Sequence, residues 1–300
     1  MRGRLGGLVA LGFLFLASAK AQIAPLDRVP IRYLPPTLVV EARVNGSPPL
    51  LFAFDTGTTT IVLDIRVADR LGIRPRGFPA RTAPSRFSRL RSLAVGKAVA
   101  YDLEVVLRDL SALAQRLQLD LAGIVGYTWM EQFIFEIDYA AGQLTLWPRQ
   151  ADLSPAANTL VVPLELHTAP GFTGASAYVV GRLNHRLDCR FEIDTGTGTG
   201  TLGADVARQL GADLTATPRG EGATASGMRS LPRHRVETLA LGGRLFANIT
   251  FLVDPSRGAD GHPYAQCVIG NEQLREFVLT LDISHRRAFF RSAPRPEPLR

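Results

Sequence analysis

The stretch that decides the fold is LLFAFDTGTTT at residues 50–60, which recurs as CRFEIDTGTGT at residues 189–199. In both copies a strand-like run leads directly into Asp-Thr-Gly-Thr, so Asp55 and Asp194 occupy equivalent positions. An isolated Asp-Thr-Gly is typical of an ordinary turn, but self-similarity at a fixed spacing indicates a repeated structural unit. The sequence therefore predicts two related units, each carrying one of these aspartates.

The repeat extends well beyond these segments and keeps the same order in both halves. The matched segments are residues 44–46 with 183–185, 67–72 with 206–211, 93–96 with 239–242, and 123–126 with 267–270. The offset drifts from 139 residues near the aspartates to 144 at the last match, which a few inserted residues explain. Ordered matches of this extent indicate a duplicated lobe.

Each copy has the pattern of a mainly β unit with one short helix. In the first copy, Leu38 to Val44 and Leu50 to Phe54 read as strands joined by an Asn-Gly hairpin turn. Ile65 to Leu71 has helical composition, and Gly72 supplies a C-terminal stop. We predict an N-terminal lobe over residues 37–148, a linker rich in Pro and Ala over 149–159, a C-terminal lobe over 160–292 and a loose tail over 293–300.

The first 21 residues have the pattern of a signal peptide. A basic head precedes an apolar stretch from Leu5 to Leu16, and Ala19-Lys20-Ala21 fits a cleavage site. An uncleaved anchor is the alternative interpretation. Cleavage lowers the formal charge from +7 to +4, so little favours a nucleic-acid partner. No later stretch is long enough to span a membrane, and we expect a periplasmic or secreted protein.

The two cysteines, Cys189 and Cys267, both lie in the second half. After export they could form a disulfide, and two buried thiols are the alternative. There is no CxxC or HExxH motif and the histidines are dispersed, so we expect no metal site. The segment from Gly198 to Gly203 fits a G-x-G-x-x-G pattern, but the first copy lacks it and no βαβ series follows. We therefore expect no dinucleotide or other cofactor.

These features resemble the aspartic peptidase lobe. In that family an apolar strand ends in Asp-Thr-Gly-Thr, and an apolar-apolar-Gly segment precedes a short helix, as at residues 123–126 and 267–270 here. The resemblance covers nearly all of residues 37–292. The compact lobes are similar to retropepsin-like bacterial proteases, while the presence of both lobes in one chain is similar to pepsin. The resemblance implies two β-barrel lobes with the active-site cleft between them, in a monomer that is an intramolecular pseudo-dimer.

The resemblance implies that Asp55 and Asp194 form the catalytic dyad. Two carboxyls about 3 Å apart cannot both ionise cheaply and so share one proton. One then activates water while the other hydrogen-bonds the peptide carbonyl. The sequence leaves open which aspartate holds the proton.

The residues after each aspartate are expected to support the dyad. The glycines allow a tight turn and offer N–H donors. The resemblance implies that the first threonine bonds across to the opposite lobe and that the second bonds an outer carboxylate oxygen. These residues are Thr56, Gly57, Thr58, Thr195, Gly196 and Thr197.

A flap that closes over substrate is the least regular part of the resemblance. Residues 220–227, GEGATASG, resemble a glycine-rich retropepsin flap that includes Gly220, Gly222 and Gly227. The corresponding first-lobe region, about 78–90, has no such glycines and contains Arg81, Arg86 and Arg89. These arginines favour either acidic substrates or an ordinary solvated loop.

The resemblance implies an exported aspartic endopeptidase that hydrolyses polypeptide substrates. The alternative is a non-catalytic module that keeps the two-lobed fold and binds peptides without turnover. Fold alone does not separate the two, because function depends on the site.

Overall fold

The computed structural model describes residues 23–76, 86–169, 173–215, 218–224, 227–258 and 266–293. Residues 1–21, where the signal peptide is predicted, and residues 294–300 of the predicted tail lie outside this part. The strands are β1 (Asp27–Pro30), β2 (Arg32–Leu34), β3 (Thr37–Val44), β4 (Leu50–Phe54), β5 (Ile61–Asp64), β6 (Arg86–Val95), β7 (Ala98–Arg108), β8 (Leu121–Val125), β9 (Phe133–Asp138), β10 (Gln143–Pro148), β11 (Thr159–Pro163), β12 (Glu165–His167), β13 (Ser176–Leu183), β14 (Leu187–Ile193), β15 (Thr201–Gly203), β16 (Arg219–Thr224), β17 (Gly227–Leu241), β18 (Arg244–Asp254), β19 (Cys267–Ile269), β20 (Phe277–Asp282) and β21 (Arg287–Ser292). The helices are α1 (Ile65–Arg70), α2 (Ser111–Leu117), α3 (Tyr127–Met130), α4 (Ala204–Gln209) and α5 (Asn271–Leu274).

Each half of the chain closes into a barrel of the same design. In the first lobe the strand order is β3-β4-β8-β5-β7-β6, and pairing of Arg43 with Ala94 joins β6 back to β3. In the second lobe the order is β13-β14-β19-β15-β18-β17, and pairing of Arg182 with Ala240 joins β17 back to β13. The two rings match strand for strand. The prediction of a mainly β protein with two similar barrel lobes is therefore confirmed.

The register of each barrel is set by a tight turn before the strand that reaches the aspartate. Asn45 and Gly46 adopt positive φ values of 52° and 81°, and Asn184 and His185 adopt 46° and 56°. Two successive positive φ values produce the hairpin turn whose twist matches that of the flanking strands. Along β3 and β13 the buried and exposed residues follow the same pattern. The apolar faces of both hairpins therefore point into their barrels.

A third sheet joins the two lobes. Its order is β1-β10-β9-β20-β21-β11, so each half of the chain contributes three strands. The halves meet where β9 pairs antiparallel with β20, with Ile137 opposite Leu279. All six residues of β20 are buried.

Two strands precede residue 37, where the first lobe is predicted to start. Strand β1 pairs with β10, and β2 pairs with β3. Strand β1 is not predicted from the sequence, because an isolated four-residue strand has too few residues to show a period. Within the described residues, no helix combines the length and apolar character needed to cross a membrane.

Candidate active site

Strands β4 and β14 deliver the two aspartates to the junction of the barrels. Asp55 follows the last residue of β4, and its N–H donates to Val125 O at 3.1 Å. Asp194 follows the last residue of β14, and its N–H donates to Ile269 O at 3.1 Å. Each aspartate is thus held by the end of the neighbouring parallel strand, β8 or β19. The structure brings the predicted pair together from equivalent positions.

The threonines that follow the aspartates tie the lobes to each other. Thr56 Oγ1 donates to Ile193 O at 2.6 Å, and Thr195 Oγ1 donates to Phe54 O at 2.7 Å. Each hydroxyl also accepts the N–H of the other threonine, at 3.1 and 3.0 Å. Both side chains are buried, where an unpaired hydroxyl would be costly. These reciprocal bonds fix how the two aspartate loops face each other.

Each carboxyl lies between the glycine of its own loop and the glycine of the other. Gly57 N–H donates to Asp55 Oδ1, and Gly196 N–H donates to Asp194 Oδ1, both at 2.8 Å. A Cβ placed on Gly57 would lie 2.6 Å from Asp194 Cγ, and one on Gly196 would overlap the Asp55 carboxyl. Only glycine therefore lets the two loops approach this closely.

The second threonine of each loop breaks the symmetry. Thr58 Oγ1 donates to Asp55 Oδ2 at 2.7 Å, as expected. Thr197 Oγ1 instead is directed at Thr199 O at 3.4 Å, and no bond from it to Asp194 is found among the described contacts. The predicted bond from Thr197 to the Asp194 carboxyl is thus not formed, because the Thr197 hydroxyl donates to the carbonyl of Thr199 in its own loop.

The two carboxyls differ in how readily they ionise. Burial raises the pKa of Asp55, but hydrogen bonds from Thr58 and Gly57 favour its charged form and oppose that rise. Burial also raises the pKa of Asp194, and the negative charges of Asp55 and Glu192 add to it, so this pKa lies well above its usual value. The pKa values of both carboxyls are thus raised, and a hydrogen bond between the two side chains lets the pair share one proton.

Glu192 is a charged neighbour that the sequence analysis did not identify. It is 8% exposed and lies two residues before Asp194, between the buried residues Phe191 and Ile193. Arg257 Nη1 lies 3.3 Å from Glu192 Oε2 and balances its charge. The first lobe has Ala53 at the corresponding position. A glutamate in the second copy, where the first copy has an alanine, was the sequence signal that could have revealed this pair.

A disulfide joins Cys189 to Cys267 beneath the second-lobe site, with Cα atoms 6.5 Å apart. It connects β14, which leads to Asp194, with β19, which ends at the supporting Ile269. The repeat places Leu50 and Gly123 at the corresponding first-lobe positions. Only the second lobe therefore has a covalent link between these strands.

The glycine-rich segment of the second lobe forms a two-stranded hairpin. Its pairs include Gly220 with Leu231 and Gly222 with Arg229, and Thr224 with Gly227 next to the tip. Residues 225–226 lie outside the described part. The predicted flap glycines are thus placed on a hairpin that extends from the second barrel.

The arginines of the first-lobe segment are only partly described. Arg81 and the rest of residues 77–85 lie outside the described part. Arg86 is exposed at the start of β6. Arg89 pairs with Asp102 at 2.7 Å on the adjacent strand, which favours a solvated hairpin over a substrate contact for this residue.

Two other kinds of site, a metal centre and a dinucleotide site, can be compared with the described residues. Among them, no group of three or more His, Cys, Asp or Glu side chains could hold a metal ion. Gly198 to Gly203 form the loop and strand that follow Asp194 in the second barrel, where β15 pairs with β18 and β19. This setting is not the βαβ unit of a dinucleotide site.

Comparison with known proteins agrees with this geometry. No match is found among the curated proteins. The family model described as aspartyl protease matches residues 40–129 and 175–273. These two regions contain the two aspartate loops and most of the strands of both barrels. The chain, with its two DTG-bearing lobes, belongs to the aspartyl protease family.

Proposed function

We propose that this protein is an exported aspartic endopeptidase in which Asp55 and Asp194 hydrolyse peptide bonds. The observation that carries the proposal is the unequal pair of facing carboxyls. Asp55 accepts bonds from Thr58 Oγ1 and Gly57 N–H, whereas Asp194 accepts one from Gly196 N–H and has the more strongly raised pKa. Membership of the aspartyl protease family supports a hydrolase.

The two carboxyls can divide the work of acid–base catalysis. Ionised Asp55 takes a proton from a water molecule, whose oxygen attacks the peptide carbon, while protonated Asp194 donates to the carbonyl oxygen. The new C–O bond forms as the carbonyl π bond breaks, giving a tetrahedral intermediate. Asp55 then delivers the proton that it took from water to the leaving nitrogen, and the C–N bond breaks as the carbonyl re-forms and Asp194 recovers its proton. No covalent bond to the protein forms.

The substrate is an extended polypeptide, and the site of action is outside the cytoplasm. The signal peptide predicted over residues 1–21 supports export. The second-lobe hairpin that contains Gly220, Gly222 and Gly227 supports a flap, since its glycines leave room for a chain to lie against its backbone.

The proposal is tested with protein that lacks residues 1–21 and with unfolded polypeptides as substrates. We expect fragments to appear at acidic pH, and a pepstatin-type inhibitor to stop their release, when hydrolysis is followed from about pH 3 to 7. Mass spectrometry should find new N and C termini at internal bonds. Binding of the same polypeptides with no cleavage at any pH would favour the peptide-binding module instead.

Thr58→Ala should move the acidic limb of the activity profile to higher pH. The substitution removes a hydrogen bond to the ionised form of Asp55, so the pKa of this carboxyl rises. Asp55 then remains protonated, and unable to accept a proton from water, up to a higher pH. The profile of kcat against pH measures this change.

Thr197→Ala is the matched control, because the hydroxyl of Thr197 bonds Thr199 O and not Asp194. We expect its acidic limb to coincide with that of the unmodified protein. Equal displacement in both variants would contradict the assignment of Asp55 as the ionised member.

A further inference from the structure

A buried amide lies directly behind the loop that carries Asp194. Asn271 follows Gly270 at the end of β19 and has no exposed surface. Its Nδ2 lies 2.8 Å from Thr195 O, 3.0 Å from Thr197 O and 2.8 Å from Pro36 O. The first two carbonyls flank Gly196, whose N–H binds Asp194 Oδ1. Asn271 therefore holds both sides of the residue that orients the carboxyl.

Tyr139 fixes the orientation of that amide. Its hydroxyl donates to Asn271 Oδ1 at 2.6 Å. With three carbonyls around Nδ2 and a hydroxyl donor at Oδ1, only one orientation of the amide satisfies its partners. Burial raises the pKa of Tyr139 well above its usual value, so the hydroxyl keeps its proton at any working pH.

The chain of contacts crosses between the lobes. Tyr139 follows β9, a first-lobe strand of the third sheet, and its ring packs edge-to-face on Tyr33 with centroids 6.1 Å apart. Pro36 also belongs to the first lobe, whereas Asn271 and Thr195 belong to the second. First-lobe residues thus support the loop of the second-lobe aspartate.

Among the described residues, no buried amide supports the loop of the first-lobe aspartate in the same way. The repeat places Tyr127 at the position of Asn271, and both backbone N–H groups make the same bond, to Thr58 O at 2.8 Å and to Thr197 O at 2.9 Å. The Tyr127 side chain, however, bonds Glu131. The loop that Asn271 supports is also the loop whose second threonine, Thr197, makes no bond to Asp194 among the described contacts.

We propose that Asn271 and Tyr139 are positioning residues for Asp194, and that they hold its loop in place of the missing threonine bond. The role in turnover rests on the proposed peptidase function. Without the amide, the carbonyls of Thr195 and Thr197 lose a buried donor, and the Gly196 turn between them is free to shift. A displaced Asp194 donates less well to the substrate carbonyl, although the rest of the substrate contacts are unchanged.

Tyr139→Phe tests the network with the smallest change, since it removes one hydroxyl and keeps the ring against Tyr33. We expect kcat to fall about tenfold with KM within about twofold, because a 1 Å displacement of a catalytic group costs about 100-fold and this shift is smaller. Tyr33→Phe is the matched control, because Tyr33 contributes its ring to the same packing but its hydroxyl is not a member of the hydrogen-bonded chain. Its kcat should stay within about twofold of the unmodified protein.

Hydrogen–deuterium exchange supplies a readout that does not need activity. In Tyr139→Phe, amides in residues 194–199 should exchange faster while those in residues 55–60 do not change. A protein that cleaves nothing would refute the proposed function, and the exchange data would still decide whether the network holds this loop. Equal acceleration in both loops, or no change in either, would overturn the proposal.

The variant Asn271→Asp provides a further test, because lowering the pH should partly restore its activity. Ionised, the new carboxylate has no proton to give the three carbonyls; protonated, it has the shape of the amide and one donor. Burial favours its neutral form. The activity of this variant relative to the unmodified protein should therefore rise as pH falls. A ratio that stays constant with pH would show that Asn271 does not act through its donated hydrogen bonds.

Discussion

Asp55→Asn and Asp194→Asn should each lower kcat by about 10²–10⁴-fold, the usual contribution of a positioned acid or base. An amide at position 55 cannot take a proton from water, and one at position 194 has no carboxylic proton to share with Asp55. Steady-state hydrolysis of an unfolded polypeptide at the optimal pH measures the loss.

Folding should be unaffected in both variants, because the amide has the shape of the carboxyl, and Asp55→Asn also removes a charge that burial disfavours. The melting temperature is therefore expected to stay level or rise. Asp205→Asn, which changes an exposed second-lobe aspartate with a side chain 70% exposed, is the control and should retain full activity. Substantial turnover in Asp194→Asn would contradict a dyad mechanism.

Loss of the disulfide should cost about 4 kcal/mol of the free energy of unfolding. Cys189 and Cys267 are separated by 78 residues, and the chain-entropy estimate for a closed loop of this size lies between about 3 and 5 kcal/mol. Both sulfurs are buried between β14 and β19, so reduction also loosens the strand that ends at Asp194. Urea unfolding with and without a thiol reductant measures the effect.

The double variant Cys189→Ala/Cys267→Ala distinguishes the effect of losing the disulfide from any other effect of the reductant. It should show the lower unfolding midpoint and no further response to reductant. Identical midpoints for the oxidised and reduced forms of the unmodified protein would contradict the prediction.

The sequence predicts the barrels and the dyad well because their causes are local and occur twice. A strand followed by Asp-Thr-Gly places a carboxyl, an N–H donor and a hydroxyl in fixed relation, whatever surrounds them. The bonds that Thr56 and Thr195 make across the lobes follow from that shared backbone geometry.

Features that depend on distant segments are less predictable. The six-stranded sheet draws on strands from Asp27 to Ser292, and nothing in their separate patterns indicates that β9 pairs with β20. Asn271 and Tyr139 are 132 residues apart, so their bond leaves no local signal. The difference between Thr58 and Thr197 arises in the few residues that follow each one, where the repeat diverges.

Because both lobes lie in one chain, each lobe can acquire substitutions that the other lacks. In a symmetric dimer every substitution appears on both sides, so a glutamate or a disulfide near one aspartate would be matched near the other. Here Glu192, the Cys189–Cys267 bond and the Asn271 amide surround Asp194 alone, and Thr58 serves Asp55 alone. The two carboxyls consequently have different surroundings in the free protein, before any substrate binds.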